Sequence, residues 1–169
     1  MKSENVELAK KITKEILYIT IATVTKDGNP WNTPVYSAFD ENYNFYWNSQ
    51  ISSQHSRNIK ENPNVFLAIY NSKIEEGAGK GVYIQAKAEE VLDEKEIEKA
   101  LAIMWSRIGK NPKTHKPKEF LGDSPLRVYK AVPEKFSIND DERLEGKYLD
   151  FRIEVDLLGS NPESSFYQK

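Results

Sequence analysis

Apolar residues change their spacing from segment to segment along this chain, and the changes mark out its elements. Val6, Ala9, Ile12 and Ile16 recur every three or four positions with Lys and Glu between them, which predicts an amphipathic helix over residues 1–16. The period then drops to two. Leu17, Ile19 and Ile21 alternate with Tyr18, Thr20 and Ala22, a pattern that suits a pleated strand. Lys26-Asp27-Gly28-Asn29-Pro30 is a strong turn, because Gly accepts positive φ and Pro pre-sets its own. Trp31 to Phe39 reads as a second strand interrupted by Pro34, which cannot donate to a ladder and so belongs on an edge or at a bulge. A turn at Asp40-Glu41-Asn42 leads to a third strand over Tyr43 to Asn48.

Ser52 to Asn62 is a short polar helix stopped by Pro63, and Asn64 to Tyr70 is a buried strand. Val82, Ile84, Ala86 and Ala88 alternate with Tyr83, Gln85, Lys87 and Glu89 in a half-exposed strand. From Asp93 a longer helix sets Ile97, Leu101, Met104, Trp105 and Ile108 on one face and ends at Gly109. Asn111 to Lys118 is a basic, proline-flanked loop, and Leu126 to Ile138 is a strand interrupted by Pro133. Leu149, Phe151, Ile153, Val155 and Leu157 then alternate with charged residues in a last strand.

Strands joined by tight turns pair antiparallel, and six or seven of them in this length close into a barrel, since closure removes exposed edges. The expected fold is therefore mainly β: an antiparallel β-barrel with peripheral helices. Residues 1–158 form one domain in this reading, and residues 159–169 a loose tail.

Composition narrows the function. The chain has 24 basic and 26 acidic residues, so no broad basic face is available for nucleic acid. Cysteine is absent, which removes disulfides, thiolate nucleophiles and cysteine metal sites. Two histidines, His55 and His115, stand far apart in sequence, neither with a carboxylate at ligand spacing nor in a predicted apolar pocket, and no metal site is expected. The first segment lacks the apolar run of a signal peptide and nothing reaches bilayer-spanning length, so the expectation is a cytoplasmic protein without membrane partners.

The candidate chemistry gathers between Asn32 and Val65. A strand delivers Trp47, Asn48 and Ser49, and a short linker leads to Ser53, Gln54, His55, Ser56 and Arg57 at a helix start. The first helical turn offers unpaired N–H groups and a partial positive charge. Hydroxyls, an imidazole and a guanidinium added there make a place for a phosphate. Equally, Ser53 caps the helix while His55 and Arg57 face water.

Several pieces in fixed order add to this: Ile21-Ala22-Thr23-Val24, Asp27-Gly28-Asn29-Pro30, Asn32-Thr33-Pro34-Val35, Phe45-Tyr46-Trp47-Asn48-Ser49, Ser53-Gln54-His55-Ser56-Arg57-Asn58-Ile59, Asn62-Pro63-Asn64-Val65 and Gly81-Val82-Tyr83-Ile84-Gln85-Ala86-Lys87-Ala88. Together they resemble the pyridoxamine 5′-phosphate oxidase-like family of FMN-binding split barrels, well over residues 12–92 and in outline beyond. The resemblance implies a six- to seven-stranded antiparallel split barrel of Greek-key type, a homodimer with its site between subunits, and FMN as the redox cofactor for a small-molecule substrate, with NAD(P)H as a candidate electron donor. It assigns Asn32, Thr33, Pro34, Val35 and Tyr36 to the ribityl chain and ring. Trp47, Asn48 and Ser49 fall beside the ribityl and phosphate, while Ser53, Gln54, His55 and Arg57 fall at the phosphate. Lys80 and Gly81 come near the flavin ring. His55 stands where many relatives carry Lys or Arg. The C-terminal stretch of Trp, Arg and Pro residues in which true pyridoxamine phosphate oxidases resemble one another is missing, since Arg152 alternates with acids and has no basic neighbour. The catalytic residue stays unassigned, and a flavin, haem or deazaflavin binder without turnover is the alternative within the same fold.

Other signals weigh less. Glu76-Gly77-Ala78-Gly79-Lys80-Gly81 lacks the spacing of a phosphate-binding loop and reads as a hairpin. Asp140-Asp141-Glu142 reads as a solvated turn and Trp105 as core. The lysines of the 110–118 loop read as a solvated connection or as a lid for an anion.

Overall fold

The computed structural model describes residues 2–111, 115–140, 143–144, 147–148 and 151–159. The expected tail beyond Gly159, the middle of the basic loop and the turn after Asp140 lie outside these. Three α-helices, α1 (Lys2–Glu15), α2 (Gln54–Glu61) and α3 (Glu94–Arg107), accompany the strands β1 (Tyr18–Val24), β2 (Pro30–Tyr36), β3 (Ala38–Phe39), β4 (Phe45–Gln50), β5 (Asn64–Tyr70), β6 (Gly81–Glu90), β7 (Leu126–Asp140), β8 (Arg143–Leu144), β9 (Lys147–Tyr148) and β10 (Phe151–Glu154). A 3₁₀ turn spans Pro117–Phe120. None of the described helices is long and apolar enough to cross a membrane.

The main sheet runs β2-β1-β5-β6-β7-β4-β3, with β10 laid on β7, and every pairing is antiparallel. Its two end strands, β2 and β3, are separated in the chain by Ser37 alone. One segment, Pro30–Phe39, therefore pairs with β1 along its first part and with β4 along its last, and the sheet curls round to meet it. This is the split barrel the residue pattern implied. Pro34 pairs with Thr20 on β2, whose other side has no partner strand, so its missing N–H costs no ladder bond.

Alternation sorts the side chains. Ile19, Ile21, Leu67, Ile69, Val82, Ile84 and Ile138 are almost wholly buried and fill the interior, closed at one end by Ala9 of α1. A second cluster (Ile97, Ala100, Leu101, Met104 with Tyr46, Val91 and Val128) seats α3 against the outside of the sheet. Strand β4 is buried on both faces as a result: Phe45 and Trp47 point into the first cluster and Tyr46 into the second. The strand expected to break at Pro133 runs on through it. The register against β6 shifts between Gln85 and Ala86, and this bulge lets the chain pass a residue that cannot donate.

Two polar anchors fix the frame. Arg107 donates from Nη2 to the carbonyls of Thr13 (2.8 Å), Lys14 (3.1 Å) and Ile16 (2.8 Å), satisfying the open end of α1. The Asp40 carboxylate, 1% exposed, accepts from the N–H groups of Asn42 (3.0 Å) and Asn44 (2.9 Å) and from Lys99 Nζ (3.0 Å), so it shapes the turn before β4. Burial works to raise its pKa, but the bonds from Lys99, Asn44 and Asn42 prevail and hold it below the ordinary carboxylate value. A depressed folded-state pKa contributes stability that is present above the unfolded value, near 3.9, and is lost as the pH falls through the folded one. Asp40→Asn is expected to lower stability at pH 7 and to flatten the loss of stability below about pH 4, as read from urea melts at several pH values. An unchanged acid limb would remove Asp40 from that role. In the barrel interior, Ile84→Ala should cost about 2–5 kcal/mol by the same melts.

Candidate functional site

Strand β4 ends beside the start of α2, and this junction holds the densest polar cluster among the candidate residues. Ser53 caps the helix: its Oγ accepts from the Ser56 N–H at 3.4 Å. The same Ser53 hydroxyl donates to Ser56 Oγ at 2.8 Å and lies 3.2 Å from His55 Nε2. His55 Nε2 is also 2.7 Å from Ser49 Oγ at the end of β4. Serines 49, 53 and 56 and His55 thus form one hydrogen-bonded group, with His55 7% and Ser56 3% exposed. Burial holds the His55 pKa below its ordinary value, and no neighbouring charge contributes to that shift. The ring is neutral at pH 7.

Beneath this group, Trp47 is fully buried and stacks on Tyr129 of β7, ring centres 5.7 Å apart at 16°. Burial also raises the Tyr129 pKa, partly offset by a hydrogen bond with Ser56, so Tyr129 belongs to the polar group from below. The buried Trp47 indole N–H has no hydrogen-bond partner. Outside it, Arg57 is exposed and folds back on its own turn, donating to the Ser52 carbonyl and to Gln54 Oε1. Gln54 in turn donates to Asn58 Oδ1 at 2.8 Å. Asn58, 2% exposed, donates from Nδ2 to Thr23 Oγ1 of β1 at 2.9 Å and ties the helix to the barrel.

The structure therefore brings Ser49, Ser53, Gln54, His55 and Arg57 together, with Asn48 half-buried beside them on β4. The capping reading of the helix start holds for Ser53, which caps, and for Arg57, which faces water, but not for His55, which is buried within the cluster. Helix α2 packs against β1 and β2, which sets the β2 residues near it. Asn32 and Pro34 are exposed there and Thr33 accepts from the Trp31 indole at 2.9 Å, while Val35 is buried in the core. Tyr36 donates to the Met104 carbonyl of α3 at 2.6 Å. Lys80 and Gly81 are not brought to this cluster within one chain. Gly81 begins β6, where its N–H donates to Asn139 Oδ1, and the end of β6 that adjoins Tyr129 is about 30 Å further along the strand.

Ser56 was among the hydroxyls read at the helix start, whereas sequence reasoning missed Tyr129 and the link from Asn58 to Thr23, both of which join residues far apart in the chain. That reasoning also set His115 apart from any carboxylate or apolar surroundings. The structure corrects this. His115 Nδ1 lies 2.9 Å from Glu119 Oε2, one helical turn on, and its ring packs against Trp105 (5.2 Å) and Phe120 (6.2 Å). Arg152, whose partners were unrecognised, lies 3.9 Å over the Tyr83 ring. Among the described residues no group of three or more His, Asp and Glu is placed to hold a metal ion.

The profile of the family described as "Pyridoxamine 5'-phosphate oxidase" matches residues 6–138 of this sequence. The chain belongs to that family. Solved structures share its fold at low identity. A haem storage protein from Vibrio cholerae is 20% identical with a TM-score of 0.63, over 76% of this chain and 89% of that one. An FAD-binding protein from Mesorhizobium loti is 20% identical with a TM-score of 0.58, over 78% and 91%. A haem-binding protein from Mycobacterium smegmatis is 19% identical with a TM-score of 0.65, over 89% of this chain and 57% of that longer one. No curated protein matches the sequence significantly. Proteins that share this barrel thus include ones named for flavin and for haem.

Asn58 is the point at which the site helix is held. Asn58→Ala should cost about 1–3 kcal/mol, because Thr23 is left without its donor and the amide's own burial is wasted. Hydrogen exchange is expected to speed up across α2 before the barrel strands; uniform exchange would mean that the helix is held elsewhere.

Proposed function

We propose that this chain binds FMN at the start of α2 and acts as a flavin-dependent oxidoreductase on a small molecule. The observation that carries the reading is the donor set there. Three serine hydroxyls and an imidazole cluster at a helix N-terminus, and burial is the cause that shifts the imidazole. Such a set suits a phosphate oxygen cage and would repel nothing anionic. Ser49, Ser53, His55 and the helix N–H groups would hold the phosphate. Asn48 and the exposed edge of β2 at Asn32 and Pro34 would flank the rest of the cofactor. Bound FMN supplies the hydride or electron transfer, and the protein supplies orientation and shielding.

The assembly we infer is a homodimer. The outward face of β2-β1-β5-β6 sets Thr20 between Pro34 and Ala68, Ala22 between Asn32 and Phe66, and Tyr83 opposite Ala68. Tyr18 is 62% exposed at its edge. Charged residues are few there, and a second copy is the occupant that would also bring a Lys80–Gly81 end toward an α2 cluster. A stable pair needs about 800 Å² from each partner.

A second reading has its own observation. With Glu119 holding Nδ1 and two aromatic rings against it, His115 has the support that orients a metal-ligating imidazole, and this favours haem.

The absorbance spectrum and mass of whatever copurifies test both. FMN absorbance with bleaching on NADH or NADPH supports the oxidoreductase; FMN that neither donor bleaches argues against a nicotinamide-linked one. A Soret band lost in His115→Ala establishes the second reading instead. Ala22→Glu, on the exposed face, should give monomers by light scattering and reduce FMN retention at least tenfold. Dimers that persist would place the subunit contact elsewhere.

A further inference from the structure

We propose that His55 takes up a proton when a phosphate monoester docks at the start of α2, so that the site grips its ligand more tightly in mildly acid than in mildly alkaline solution. The inference rests on the flavin-phosphate reading above and adds to it a pH control.

The argument is one of available charge. A phosphate dianion brought into a buried hydroxyl cage needs a cation, since an unmatched buried charge is expensive. Each cation near the cluster is otherwise engaged. Arg57 lies outside, bound to Ser52 and Gln54 of its own turn. On β7, Arg127 pairs in register with Ser49, but its guanidinium is matched by Glu90 of β6 at 2.6 Å and further held by the carbonyls of Gly122 (2.6 Å) and Leu126 (2.8 Å). Tyr129 from β7 is neutral and held so by burial. Strand β1 presents the neutral Thr23 to the helix, and β4 presents Ser49. His55 is the one member of the group that can change its charge where the ligand would sit.

Without ligand, burial keeps the ring neutral. A dianion alongside favours the charged ring, and the difference between the two states is a proton bound on docking. The hydrogen-bond geometry agrees. Nε2 lies between Ser49 Oγ (2.7 Å) and Ser53 Oγ (3.2 Å). While Nε2 is bare, Ser49 can spend its hydrogen on the ring; once Nε2 is protonated it donates, and the Ser49 hydrogen is free to turn to the ligand, that of Ser53 being held by Ser56. A Lys or Arg at this position would do the first task at every pH and could not do the second.

The test titrates FMN into the wild-type protein, His55→Gln and His55→Arg between about pH 5.5 and 8.5, following flavin fluorescence, with riboflavin as the phosphate-free probe. FMN's own second ionisation, near pH 6, is common to all three proteins. For the wild type, the FMN Kd should rise by up to about tenfold per pH unit above neutrality, the limit for one linked proton. Riboflavin binding should stay flat. His55→Gln should bind more weakly with a flat profile, and His55→Arg tightly with a flat one. Calorimetry at pH 7 in buffers of different ionisation enthalpy should show proton uptake for the wild type alone. FMN bound with the same pH profile by wild type and His55→Gln, or with buffer-independent heat, overturns the inference and leaves the flavin reading standing. No FMN binding at any pH overturns both.

Discussion

Closure of the sheet on a single segment governs the rest of the molecule. Residues Pro30 to Phe39 must serve β1 and then β4, so the chain has to leave one end of the sheet and arrive at the other in register. The Ser37 N–H donating to the Leu17 carbonyl at 3.0 Å holds the departure, and the Asp40 turn sets the arrival. A side-chain period of two gives that turn leverage, because one residue of slip would exchange the faces of β4. Phe45 and Trp47 would leave the core, and Ser49 would point away from His55. The polar cluster thus depends on a carboxylate two turns of chain away, in a way no contact list of the site itself reveals.

At the cluster, the competing terms are burial and pairing. Neutral hydrogen bonds among hydroxyls and an imidazole contribute about 1 kcal/mol each, enough to order the group and too little to hold an unpaired imidazolium out of water. The group therefore folds uncharged and keeps its capacity for charge in reserve. Arg57 is the opposite case. Its guanidinium stays in solvent and is spent on the turn that carries it, so its contribution is to the shape of the linker before α2 more than to the interior.

Much of this was legible in the residue order, and the part that was not has a physical reason. Alternation at Ile19–Ile21 and Val82–Ala88 gave strands because one face of each is buried, and the alternation from Phe151 gave a strand with one half-buried face that ends at Glu154, short of Val155 and Leu157. Helix α2 was marked by Ser53 and Pro63 at its ends. Pattern alone could not show that the Trp31–Phe39 run borders two strands, since alternation carries no record of which neighbour lies on each side. Nor could it show that β7 passes through Pro133, because a bulge is a property of the pair and depends on β6. At the site, Ser49, Ser53 and His55 were found from local spacing, whereas Tyr129 enters through a pairing 82 residues away (Trp47 with Tyr129). His115 was misjudged for a similar reason: its aromatic neighbours Trp105 and Phe120 come from elements on either side of the loop.

The fold by itself does not choose a cofactor, and the two histidines show why. The cluster at His55 offers hydroxyls and an imidazole, a donor set that under the proposed reading would suit anionic oxygen whatever it is attached to. The surroundings of His115 support an imidazole lone pair and are indifferent to phosphate. Selection for a flavin cannot reside in the phosphate cage, then, because every phosphate monoester presents the same oxygens to Ser49, Ser53 and His55. It has to come from surfaces that meet the ring, and in one chain the edge of β2 and the start of β6 lie too far apart to enclose a ring together. On the proposed reading, such a site would gain its specificity only when a second surface closes over it, which would make ligand choice a property of assembly and phosphate affinity a property of the single chain.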